Sequence, residues 1–336
     1  MKTKFTRRSV LAMSAAAAAL PLISRTVLAA DKPVLRLSTP ASDTDQRSVA
    51  LMEKFAPGIA DFATFEPHWN ATLFKQGTEL EAIARGNLEM AITSAQELAV
   101  FLPEFSIFSA GYVHKDAAHQ VKVFNDPLMD PLKQKVEDEL GVKLLTVMYL
   151  GRRQLNLRKS KDELTVTTPA DLKGVTLRMP GTDAWQFLGK ALGANPVPMA
   201  FTEIYTGLQT GAIDGQDNPL PTVVDAKFYE VTKQICMTSH LVDLNYLAIS
   251  KKTFDGFSEE QQAALQKAAD DAAEFGRQNQ LKKEDELVAF LKEKGLEIYE
   301  PDIAAFRDHV QKMFLESEFA AAWPDGMLDK INALAG

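Results

Sequence analysis

One cysteine, Cys236, occurs in 336 residues. No intramolecular disulfide is possible even in an oxidising compartment, so packing has to supply the stability. Set between Ile235 and Met237 with no activating neighbour in sequence, Cys236 reads as a small core residue rather than a nucleophile. Histidine is almost as scarce. The five present (His68, His114, His119, His240 and His309) form no HExxH pattern, and the gap from His114 to His119 keeps that pair off one helical face. Solvated or capping histidines are expected, and no metal site. There is no GxGxxG, no GxxxxGK[ST] and no GxSxG, which removes the dinucleotide fingerprint, the P-loop and the nucleophile elbow. No cofactor is expected, and without a His, carboxylate and Cys constellation neither is an enzyme.

Long apolar runs are also missing. The Ala/Leu-rich stretch up to Ile23 is too short for a membrane span, and no second one follows. It lies behind Thr6-Arg7-Arg8-Ser9-Val10-Leu11 and before the small residues Val27, Ala29 and Ala30. That is the pattern of a cleaved twin-arginine signal over residues 1–30, cut after Ala29 or Ala30, which directs the chain to the periplasm. Positive charge is in deficit too: 37 Lys+Arg stand against 45 Asp+Glu, a net −8, and loss of the five basic residues of the signal takes this to −13. Such a surface repels nucleic acid and anionic lipid at long range. An anionic ligand therefore needs a local group of arginines acting at contact distance.

What is present is an alternation of strand and helix patterns. Val34–Thr39, Leu88–Thr93 and Val142–Leu150 read as strands, the last apolar enough to be buried on both faces. After Gly151 the composition turns to GRRQLNLRKSKDE, read as a basic loop, before a strand at Val175–Met179. Asp183 opens a helix with Ala184, Phe187, Leu188, Ala191 and Leu192 on one face, and a second runs from an N-cap at Thr202 to Gly211. Leu244–Ser250 is a further strand. Ser258 and Gln261 make a capping box for a helix reaching Lys294, roughly 50 Å long at 1.5 Å per residue. About 300 mature residues suit two domains. The expected fold is α/β: a two-domain clamshell with a hinge and a long helix spanning both domains. Domain I takes 31–150 plus about 244–282, and domain II takes 151–243 plus about 283–336.

The segment from Gly174 to Val231 holds the candidate chemistry. In GVTLRMPG, Arg178 falls at the carboxyl tip of a strand stopped by Pro180, where open α/β sheets bind ligands. Its planar fork suits a carboxylate. A surface arginine paired with a helix carboxylate fits the same pattern. Arg152, Arg153 and Arg158 lie at the proposed crossing between domains, where a cleft would open or where a solvated face would sit. Asn218, in a turn before Pro219, has an amide able to point at a ligand or to close an Asx-turn.

LRMP, NPVPMAFTEIYTGLQTGAIDGQDNP and AKFYEV together resemble the extracytoplasmic solute-binding subunits of TRAP transporters, the DctP-type family, and the resemblance extends over essentially the whole mature chain. It implies a monomeric binding protein for a small organic acid that serves small and large membrane permease subunits. It also implies that Arg178 clamps a carboxylate shared with Asn218, that Arg153 is a second ligand arginine, and that Phe201 lines the cleft. Ser94 stands where some relatives place a polar or acidic contact. In sialic-acid-binding relatives that residue is a glutamate, and Gln76 likewise stands where an acid is common, so two acceptors are expected to be lost and sialic acid disfavoured. Arg152 beside Arg153, with Trp185 as a sugar platform or a packed helix residue, would suit a sugar acid such as a hexuronate. C4-dicarboxylates and keto or hydroxy acids remain open, as does service to a sensor kinase.

Overall fold

The computed structural model describes residues 32–336, and the export signal read in residues 1–30 lies outside them. Nine strands build one sheet: β1 (Val34–Ser38), β2 (Thr64–His68), β3 (Met90–Ser94), β4 (Val142–Leu157), β5 (Thr176–Met179), β6 (Asn195–Pro198), β7 (Gly215–Asn218), β8 (Gln234–Ser250) and β9 (Glu297–Tyr299). Their order is β2-β1-β3-β8-β4-β7-β5-β6, with β9 beside β8. At one flank β2, β1 and β3 are parallel, and at the other β6, β5 and β7 are parallel. Between them β4 and β8, of 16 and 17 residues, run antiparallel and belong to both flanks. Two α/β units joined by shared long strands make the two-domain clamshell.

The long helix, Glu259–Glu293, carries the expected capping box at Ser258 and Gln261. Its first half packs Leu265, Ala268, Ala269 and Ala272 against Leu35, Leu37 and Phe55. Near its other end Leu291 joins Ile204, Leu208 and Val223 in a separate core. One rigid rod thus braces both flanks. Between these two cores it grips the shared strand where the β4/β8 register shifts between Tyr149 and Gly151. Glu284 accepts from the Tyr149 hydroxyl (2.7 Å) and the Arg152 N–H (2.6 Å). Gly151 has a φ of +128°, and a Cβ there would stand 2.6 Å from both Glu284 Oε1 and Pro219, so only glycine lets helix and bulge meet.

Four expectations need correction. The residues after Gly151 are not a basic loop but the second half of β4, and β8 begins at Gln234 rather than at Leu244. Polarity there does not mean exposure, because the polar side chains find partners inside. Asn156 donates to Thr232 Oγ1 (2.8 Å), and Gln154 accepts from the Ser239 N–H (2.8 Å). Asn218 is not in a turn; it ends β7 and is buried. Nor are His114, His119 and His240 solvated. His114 stacks on Phe108 and its burial pushes the imidazole down to about 3, while His240 is held by Thr238 and Asp217.

Candidate functional site

The carboxyl ends of β1, β3, β5 and β7 open into one cleft. This is where a parallel strand exposes its last carbonyls and the following turn supplies side chains. Thr39 and Ser94 line it from one flank; Arg178, Phe201 and Asn218 line it from the other, with Arg153 reaching in from β4. Gln76 and Trp185 complete the expected residues found there.

Arg178 is 1% exposed. Its Nε donates to the Met199 carbonyl (2.8 Å) and one Nη2 hydrogen goes to Gln76 Oε1 (3.5 Å). A guanidinium has five donors, so both Nη1 hydrogens and the second Nη2 hydrogen stay uncommitted. No carboxylate of the described residues comes within ion-pairing distance. Burial accordingly pushes Arg178 down to about 9, with Asp217 only partly offsetting it. At neutral pH the charge persists.

Arg153 is the opposite case. It is 5% exposed, and its Nη2 lies 2.7 Å and its Nε 2.8 Å from Asp243 Oδ2. Its Nη1 donates to the Asp217 carbonyl (2.7 Å) and stands 3.4 Å from both Asp217 Oδ1 and Asn218 Oδ1. Burial works to lower its pKa, but Asp243 and Asp217 leave it raised. Its guanidinium also lies 4.4 Å from the centre of the Trp185 ring. With that face covered and the side chain 2% exposed, Trp185 is a support for Arg153 and not an open platform for a sugar ring.

Asn218 donates to Gln216 Oε1 and accepts from Arg153, so its amide is oriented by its neighbours and keeps one Nδ2 hydrogen for another acceptor. Phe201 packs edge-on against Phe228 at 5.8 Å. Arg152 is not in the cleft. Alternation along β4 sends it to the other face, where it donates to the Lys115 carbonyl (3.0 Å). Reading the stretch as a loop had allowed both arginines to point one way.

Ser94 uses its hydroxyl to cap the helix Ala95–Leu98, accepting from the Glu97 N–H. Glu97 itself lines the cleft. Its Oε2 accepts from Ser94 N–H (2.8 Å) and Thr93 Oγ1 (3.0 Å), and its Oε1 has no hydrogen-bond partner among the described residues. An acceptor is therefore present one helical turn beyond Ser94, not lost. The S-x-x-E spacing of a capping box was present in sequence, but Glu97 was not singled out from it. Arg47 and Asn245 were missed as well. Arg47 is locked by Asp45 (2.8 and 2.9 Å) and by Asn245 Oδ1, and both line the cleft. An arginine in the first helical turn after β1 was the available signal.

Residues 49–320 match the family described as bacterial extracellular solute-binding protein, family 7 (DctP). A TRAP periplasmic solute-binding protein from Roseobacter denitrificans, solved with bound 3-deoxy-D-manno-oct-2-ulosonic acid (KDO), is 72% identical, with a TM-score of 0.90 over 90% of this chain and 100% of that one. A second protein from the same organism, solved with L-galactonate, is 28% identical, with a TM-score of 0.80 over 91% of this chain and 99% of that one. The 2,3-diketo-L-gulonate-binding periplasmic protein of Escherichia coli (strain K12) is 30% identical over 89% of this chain and 92% of its own length. Buried arginine, cleft, shared strands and bracing helix are thus parts of a transport-associated binding protein and not of an enzyme: the chain belongs to the DctP family of TRAP-type extracytoplasmic solute-binding proteins.

Proposed function

We propose that this protein captures a sugar acid in the periplasm, after export by its twin-arginine signal, and hands it as a monomer to the small and large TRAP membrane subunits. One observation carries the reading: Arg178 is buried at the cleft with three donors uncommitted and no anion of the described residues against it. The ligand carboxylate supplies that anion, with Asn218 donating its remaining hydrogen and Arg153 setting the position of Asn218. Phe201 covers the ligand, Ser94 and Gln76 border it, and Glu97 and Asn245 accept or donate at its hydroxyls. Domain I (31–150 and about 244–282) and domain II (151–243 and about 283–336) hinge where β4 and β8 shift register. The 72% identity to a protein holding an eight-carbon keto sugar acid supports that ligand class above a hexuronate.

A second carboxylate is unwelcome in a cleft already lined by Glu97, with Asp243 and Asp217 behind it. Calorimetric titration with KDO, galactonate and succinate tests the reading. A Kd for KDO in the micromolar range or tighter is expected, with succinate weaker by at least about 100-fold, or about 2.7 kcal/mol. Equal affinity for succinate sinks it.

A further inference from the structure

We infer that Glu97 is a charge filter: it admits acids that bring one carboxylate and a hydroxyl donor, and it rejects those that bring a second negative charge. The inference rests on the reading of Arg178 as the carboxylate site and narrows the ligand class of that site. Among the described residues, four charged side chains line the cleft: Arg47, Arg153, Arg178 and Glu97. Two of them are neutralised by the chain itself. Arg47 has Asp45 at 2.8 Å, and Arg153 has Asp243 at 2.7 Å and Asp217 at 3.4 Å. The two left open are of opposite sign. Arg178 meets no carboxylate, and Glu97 meets no lysine, arginine or histidine within ion-pairing distance among the described residues.

The two carboxylate oxygens of Glu97 are not equivalent. Oε2 accepts from the Ser94 N–H (2.8 Å) and the Thr93 hydroxyl (3.0 Å), which fix the group in place as one half of the capping box. Burial raises the pKa of Glu97, and these donors act to lower it by favouring the charged form. Oε1 is left to the cleft and takes a ligand hydroxyl. A ligand carboxylate on Arg178 uses up the one open positive charge, after which Glu97 is the unbalanced charge of the lining. The acids that act on it from behind, Asp243 and Glu79, add no cation. A second ligand carboxylate against this wall is repelled, and it also takes away the donor that Oε1 needs. Selection here comes from a built-in repulsion as much as from the attraction at Arg178.

Galactonate and galactarate share one carbon skeleton and differ at one end, a hydroxymethyl in the first and a carboxylate in the second. The monoamide of galactarate keeps the shape of galactarate with a single charge. All three are titrated into the full mature protein, as wild type, Glu97→Gln and Glu203→Gln. Glu203 lines the adjoining cavity and acts on Arg178 through its charge, so its removal lowers the general field without touching Glu97. Wild type is expected to bind galactarate at least about 30-fold more weakly than galactonate, and the monoamide within several-fold of galactonate. Glu97→Gln is expected to narrow the galactarate gap at least about tenfold, and Glu203→Gln to leave it within about twofold. A gap unchanged in Glu97→Gln overturns the inference, as does an equal narrowing in Glu203→Gln. A monoamide bound by wild type as weakly as galactarate shows exclusion by shape and overturns it whether or not Glu97→Gln folds. Wild type that binds KDO and none of the three overturns the inference alone, since six-carbon acids are then excluded on grounds other than charge. Wild type that binds neither KDO nor galactonate overturns the sugar-acid reading as well.

Discussion

Arg153 and Arg178 sit in the same cleft, nearly equally buried, and differ in what surrounds the charge. Around Arg153 the chain provides two aspartates, a backbone carbonyl and the face of Trp185. Around Arg178 it provides a backbone carbonyl and an amide oxygen, and nothing negative at contact distance among the described residues. Removing a charge from water costs several kcal/mol unless a partner restores it. Arg153 is restored by the fold, which supports the proposal that it serves the architecture. Arg178 is left in deficit, and the deficit is what a ligand can fill. Type of residue and depth of burial do not separate the two roles; the presence of an internal counter-charge does.

The hardest test of this contrast is to delete the compensated arginine. Arg153→Met leaves Asp243 and Asp217 buried, with Asp243 lacking its ion-pair partner and the Trp185 face uncovered. Breaking one side of a buried ion pair typically costs about 3–5 kcal/mol. Urea unfolding of the ligand-free protein should show a loss of that size. A loss under about 1 kcal/mol would mean that the pairing around Arg153 is dispensable.

The complementary change is Arg178→Met, which removes a buried charge that has no counter-ion. Ligand-free stability should stay level or rise, whereas binding of KDO should weaken by about 2–5 kcal/mol, at least about 30-fold. Calorimetry and urea unfolding on one preparation give both numbers. If the variant is instead destabilised as much as Arg153→Met, the two arginines are alike and the distinction drawn here collapses.

Much of this was readable from the chain, for local reasons. Arg178 stands one residue before the end of a strand that Pro180 stops, so its place at the mouth of the sheet follows from neighbours in sequence. The capping box at Ser258 and Gln261 and the unbroken helix after it are equally local. The failures share a cause. Arg152 and Asn156 were read by polarity and Asn218 by the proline that follows it, and such local signals report exposure only when no buried partner exists. Their partners lie far away in sequence: Lys115 for Arg152, Thr232 for Asn156, Arg153 for Asn218. Which arginine is paired is likewise a tertiary fact. Asp243 is 90 positions from Arg153, and no spacing rule connects them.

Glu79 extends the comparison to a buried acid. It is 4% exposed, its Oε1 has no hydrogen-bond partner among the described residues, and its Oε2 accepts from the Gly77 N–H. Like Arg178 it lacks a counter-charge, but a carboxyl can shed its charge by keeping a proton, and an arginine at neutral pH cannot. Burial, with the nearby Glu97 adding to it, raises Glu79 from 4.5 to about 8. The folded chain therefore keeps this proton at pH values where the unfolded chain has released it. Between about 4.5 and 8 the unfolded state binds fewer protons, so this group's contribution to stability falls as pH rises, by up to about 1.4 kcal/mol per unit. Glu79→Gln keeps the shape and removes the titration. The stability of the variant relative to wild type should then climb from pH 6 to pH 8, most simply followed as a difference in urea midpoints. A difference flat across that range would show that Glu79 is ionised in the fold. The rule that an unpaired buried charge marks a ligand site would then apply to acids as well, and the Glu79 pocket would need an occupant of its own.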